Sequence, residues 1–106
     1  MATHKETIEF ILEKLGDPDI FSTRSMFGEY ALYAKGKVVG FVCDDQLYVK
    51  ILPPSIDLEP LCEKGEAYPG SKLYYVVEEV QLSHIHNLPD ILIDIADSLP
   101  VKKKKK

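Results

Sequence analysis

Three groups of side chains in this chain carry residue types that catalysis or metal binding uses. The first is His84-x-His86. Residues two apart share a face of a strand, so on an extended segment the two imidazoles would stand side by side. With His4 or a carboxylate they could hold zinc. No Cys-x-x-Cys or His-Glu-x-x-His accompanies them, and ligand count and spacing fall short of a recognised site. The second group is acidic. Asp44-Asp45 fits a turn, where short polar side chains bond their own backbone. Asp90, Asp94 and Asp97 follow one another at three- and four-residue spacing, which a solvated helix face explains. Nothing beside them suggests a raised pKa or a facing partner, so no acid–base role is assigned. The third group is Cys43 and Cys62. Cys43 lies in the apolar run Gly40-Phe41-Val42-Cys43 and reads as a small buried hydrophobe. Two cysteines are too few for a secreted disulfide scaffold. Serine occurs without a Gly-x-Ser-x-Gly elbow, and Gly36 and Gly40 form no phosphate-binding loop. The chain is therefore not expected to be an enzyme, and no catalytic residue, cofactor or metal ligand is assigned.

Recognition chemistry has better candidates. Arg24, Met26, Phe27, Gly28, Tyr30 and Tyr33 crowd one short stretch. Arginine's planar fork grips a carboxylate or phosphate at two points. Methionine and aromatic rings are enriched in interface cores. The competing reading pairs Arg24 with one of the chain's own acids and buries Met26 and Phe27 in the core.

Charge narrows the partner. The 106 residues carry 13 Lys and Arg against 17 Asp and Glu, a net charge of −4. Lys102 to Lys106 supply five of the basic residues, which leaves 8 against 17, or −9, for the rest. An acidic body repels phosphate backbones, so direct nucleic-acid binding by the body is not expected. The basic tail, 101–106, is expected to be disordered, and is the one part suited to nucleic acid or anionic lipid. No apolar run reaches the roughly 18 residues of a membrane helix. The N-terminus has no basic-then-apolar leader pattern, so a cytoplasmic protein is expected.

The elements that must position these residues follow from periodicity. Ile8, Ile11, Leu12 and Leu15, with Phe10 beside them, predict a helix over 5–15. Thr3 and Glu6 have capping-box spacing, and Gly16 with Pro18 ends the helix. Strands are expected at 21–27, 30–34, 38–43 and 46–51, joined by the Lys35-Gly36 and Asp44-Asp45 turns. Leu47, Val49 and Ile51 point one way; Tyr48 and Lys50 point the other. Pro53-Pro54 ends this meander. A short helix is expected at 58–64, capped by Asp57, stopped by Gly65 and carrying Cys62. A loop with a Pro-Gly turn spans 67–71, and a fifth strand runs 73–77. Residues 78–86 extend that strand or cross to the last helix. That helix begins at Leu88, with Asn87 as cap and Leu88, Ile91, Leu92, Ile95 and Leu99 as its buried stripe; Pro100 stops it. The result is one α+β domain over 3–99. An antiparallel sheet of about five strands carries the N- and C-terminal helices on one face. Its other face, with tyrosines and charges, is left for a partner.

Arg24-Ser25-Met26-Phe27-Gly28 resembles the Arg-x-Met-Phe-Gly-Gly signature of the TfoX N-terminal domain family. Tyr33, Gly36 and Leu47-Tyr48-Val49-Lys50 are similar to later positions of its pattern. So are Tyr74-Tyr75, Glu78-Glu79 and the closing helix. The resemblance covers about residues 3–99, and the chain departs at Glu29, where the pattern has a second glycine. It implies an α+β fold similar to type III secretion chaperones. It also implies kinship with TfoX/Sxy competence regulators, which work with the cyclic-AMP receptor protein at promoters and carry a second, C-terminal domain. These 106 residues hold no counterpart of that domain.

The functional expectation is a non-enzymatic regulatory or protein-interaction domain. It would dock a protein partner, such as a transcription regulator, through Arg24 and the neighbouring aromatics. Open sheet edges also allow a homodimer. Two alternatives stand beside it. One is a nucleic-acid-associated regulator using the lysine tail. The other is a small-molecule or metal site around His84 and His86.

Overall fold

The computed structural model describes residues 3–26 and 29–99, apart from the Met26 side chain. The expected roles of Phe27, Gly28, the Met26 side chain and the 101–106 tail lie outside the described residues.

Helix α1 spans Lys5–Leu15, as the apolar stripe predicts, and buries Ile8, Ile11 and Leu15. Gly16 ends it at φ 96, returning its amide to the Leu12 carbonyl at 2.9 Å. Four strands follow: β1 Phe21–Met26, β2 Glu29–Ala34, β3 Lys37–Cys43 and β4 Gln46–Lys50. Lys35-Gly36 and Asp44-Asp45 turn the chain with positive φ at both positions of each pair. That geometry matches the right-handed twist of a two-residue hairpin.

The next segment departs from expectation. A 3-10 helix occupies Pro53–Leu58, and no helix forms over the predicted 58–64: residues 59–61 turn the chain and strand β5, Glu63–Glu66, begins within that range. Ser55, fully buried, fixes the 3-10 turn. Its hydroxyl accepts the Leu52 amide at 3.0 Å and lies 2.8 Å from the Lys50 carbonyl. Cys62 sits just before β5 rather than on a helix. Strand β6, Leu73–Val77, coincides with the expected fifth strand. Residues 78–86 do not extend it; Glu79–His84 form a short helix, α2. Helix α3 is Leu88–Ser98 and buries Leu88, Ile91, Leu92, Ile95 and Ala96.

The sheet has six antiparallel strands in the order β1-β2-β3-β4-β6-β5. β5 adds one strand to the five expected. The main core joins Ile11, Leu15, Leu92 and Ile95 of the helices to Leu32, Val39, Leu47, Val49, Tyr75 and Val77. Both terminal helices therefore cover the same face. In β2·β3 pairing the register slips, Leu32 facing Gly40 while Tyr33 faces Val38. This bulge lets Val39 and Val42, three residues apart, join the same core. It also brings Gly40 so close to β4 that a Cβ would sit 2.2 Å from the Tyr48 carbonyl oxygen. Only glycine fits there.

Candidate functional site

The face turned away from the helices holds a second, smaller cluster. Cys43 and Tyr74 are buried there with Ala67, and Phe41 and Tyr48 pack half-buried against them. Strand alternation puts them together: Phe41 faces Tyr48 across β3 and β4, and Tyr48 faces Val76 across β4 and β6. The loop after β5 then folds back over one end of this face. The Tyr68 ring meets Phe41 edge-on at 6.4 Å, and Tyr74 does so at 5.7 Å. Between this loop and the strand ends lies a groove of about 810 Å³. Phe41, Cys43 and Tyr48 floor it, and Ala67, Tyr68 and Pro69 wall it. Glu29, Asp44 and Glu66 stand around it, and Tyr30 borders it.

The acidic surround shapes the groove's electrostatics. Burial, with Glu29 and Asp44 adding their charge, pushes the Cys43 thiol up to about 11. Tyr48 is raised by burial, then by Cys43, Asp44 and Glu29. Cys43 is thus a protonated thiol at neutral pH and no nucleophile, since the thiolate is the reactive form. Cys43 and Cys62 are both free and buried, and they belong to the clusters on opposite faces of the sheet.

Glu29 and the Asp44-Asp45 turn are themselves held by the start of α1. Thr3 donates its hydroxyl to Glu29 Oε1 at 2.6 Å and accepts the Asp45 amide at 3.3 Å. Glu29 Oε1 also accepts the Asp44 amide at 3.1 Å. Asp45 accepts the His4 amide at 2.8 Å and the Thr7 hydroxyl at 2.9 Å on one oxygen. Its other oxygen lies 2.8 Å from His4 Nδ1. The hydrogen bond and charge of Asp45 raise His4, while the His4 amide leads the groups that lower Asp45. Thr3 is therefore not the cap of α1. His4 takes that position without a side-chain bond, and Asp45 supplies the oxygen from a distant turn. Glu29, which stands where the family pattern has a second glycine, is an anchor of this network.

The sequence-predicted interaction residues divide between two faces. Arg24 and Tyr33 stand on the open face, with the guanidinium 5.9 Å over the ring. Among the described residues Arg24 makes no ion pair. Tyr30 alternates to the helix side and packs half-buried on the main core. The groove lining from residues 66–69 has no counterpart among the predicted residues. Its legible signal is the open-face alternation of Phe41, Cys43 and Tyr48; the loop's return over them is not encoded in any local pattern.

His84 and His86 do not form a pair on a strand. His84 ends α2 and His86 lies in the following turn, both exposed. Among the described residues no three His, Cys, Asp or Glu side chains gather as a metal-holding group. Asp90, Asp94 and Asp97 line the exposed side of α3, and Asp97 meets Lys35 at 3.2 Å. Among the described residues no helix is long and apolar enough to cross a membrane.

The fold and the groove define a small α+β domain with one sheet face covered by helices and one half-open. Residues 12–90 match the TfoX N-terminal domain family, three quarters of the chain, and the chain belongs to that family. The resemblance carried by the Arg24–Gly28 block is thereby shown. A relative in Spirochaeta aurantia, described as an uncharacterized 12.7 kDa protein in the trpE 5' region, is 35% identical over 106 residues. The match covers all of this chain and 91% of that protein.

Proposed function

We propose that this protein is a non-enzymatic regulatory domain that docks a protein partner on its open sheet face. The observation that carries the reading is the asymmetry of the sheet. Both terminal helices pack on one side, while the other presents Arg24, Tyr33, Phe41 and Tyr48 with, among the described residues, no covering element beyond the 67–71 loop. Half-buried aromatics beside an arginine are the composition of interface centres. Arg24, laid over Tyr33, is held ready to meet a carboxylate. Family membership supports a regulatory role, and the TfoX-type regulators suggest a transcription regulator as the partner.

A photo-cross-linking amino acid placed at Tyr33 tests this against the same group at Glu9 on α1. Partner adducts are expected from the Tyr33 position and not from Glu9. Arg24→Ala should reduce them at least tenfold while circular dichroism stays unchanged. Equal adducts from both positions, or none from either, would sink the reading.

A further inference from the structure

We propose that the groove between the 67–71 loop and the strand ends receives a cationic segment of the protein partner, its Lys or Arg side chain lying over Phe41 and Tyr48 among Glu29, Asp44 and Glu66. This rests on the open-face reading and names the chemistry of its occupant.

Three observations select a cation. Among the described residues the lining contains three carboxylates and no Lys or Arg. Aromatic faces attract cations through the ring quadrupole, most strongly where water is partly excluded. The potential inside the groove is negative because Glu29, Asp44 and Glu66 surround it; burial first, and then the charges of Glu29 and Asp44, raise both Cys43 and Tyr48. A phosphate-bearing ligand would be repelled by the same field. A purely apolar segment would strip water from the carboxylates and return nothing. A volume of about 810 Å³ accommodates a few side chains rather than a single ion. The groove opens onto the same face as Arg24 and Tyr33, so a peptide can continue from one to the other.

The test uses the full chain and a short acetylated peptide with a central Lys-Arg-Lys, followed by amide NMR. A twin peptide with Glu-Gln-Glu is the control. The basic peptide is expected to shift the amides of Phe41, Cys43, Tyr48 and Tyr68, and the control to leave them in place. Affinity should fall as salt rises from about 50 to about 300 mM, because the Debye length shortens. The double variant Asp44→Asn with Glu66→Gln should weaken binding at least tenfold. Both residues are exposed, and asparagine tolerates the positive φ of position 44. Tyr68→Ala, also exposed, should weaken it independently. Shifts spread instead over Glu6–Glu13 or Asp90–Asp97, or equal affinity in the variants, would overturn the assignment. Deleting Lys102–Lys106 should leave peptide affinity unchanged. A gain on deletion would mean the chain's own lysines fill the groove, and would overturn the choice of a partner protein. Should Arg24→Ala abolish cross-linking while the groove variants do not, the groove assignment falls and the open-face reading stands. Peptide shifts in the groove without adducts from Tyr33 would overturn the open-face reading alone.

Discussion

Asp45 shows how much one side chain can hold. It sits at φ 65 in a hairpin turn, yet its carboxylate caps a helix that begins some 40 residues earlier. The His4–Asp45 contact has a defined pH window. His4 is raised above 6.5 in the folded protein, so its contribution is complete below 6.5 and is lost as pH rises through the folded value. Asp45 is lowered below 3.8, so its contribution is complete above 3.8 and is lost as pH falls through its folded value. The contact is firmest between these limits. An NMR titration of the His4 ring should give a midpoint above 6.5, and Asp45→Asn should return it toward the ordinary value. Gly40 is the second decisive residue. Gly40→Ala must displace the Tyr48 carbonyl, a backbone atom that cannot rotate away. Urea denaturation should show a loss of about 1–3 kcal/mol, the range for forced overpacking.

At the scale of elements, helices α1 and α3 are legible from their apolar period, and strands β1–β4 and β6 from aromatic and β-branched residues bounded by turn residues. Strand β5 is not. Glu63-Lys64-Gly65-Glu66 has no apolar alternation, and its extended form comes from pairing with β6 at the sheet edge. The 3-10 helix is missed for a different reason. Pro53-Pro54 reads as a terminator, but the prolines occupy the first helical positions, where no amide partner is needed. What closes that turn is Ser55, whose hydroxyl accepts the Leu52 amide and shares its one hydrogen between the Lys50 and Leu52 carbonyls. Arg24 and Tyr33 are legible as surface from strand alternation; the groove is not, because it depends on a loop folding over strands distant in sequence. Helix α3 has a similar long-range support. Lys37 Nζ donates to the Ala96 and Leu99 carbonyls at 3.0 and 3.1 Å, a cation at the negative end of the helix. Lys37→Met should lower stability by about 1 kcal/mol with an unchanged denaturant slope.

The whole molecule is a layer of strands with unequal faces and a body whose charge is strongly negative. That charge bears on the lysine tail. Since the body repels phosphates, any retention of a DNA duplex by the full chain should vanish on deletion of Lys102–Lys106 and above about 200 mM salt. Gel shift at two salt concentrations checks this; retention that survives both changes would point to a nucleic-acid surface on the acidic body. The tie between the chain's beginning and the Asp44-Asp45 turn has a kinetic meaning as well. Those bonds span 38 to 42 residues, whereas the hairpins of β1 to β4 close over short loops. Loop-closure entropy favours the hairpins as the earlier event, leaving the first helix to be clasped after the barrier. Weakening that clasp with Asp45→Asn should therefore quicken unfolding and leave the refolding rate nearly untouched, so that the lifetime of the native state is governed by how its first few residues are fastened.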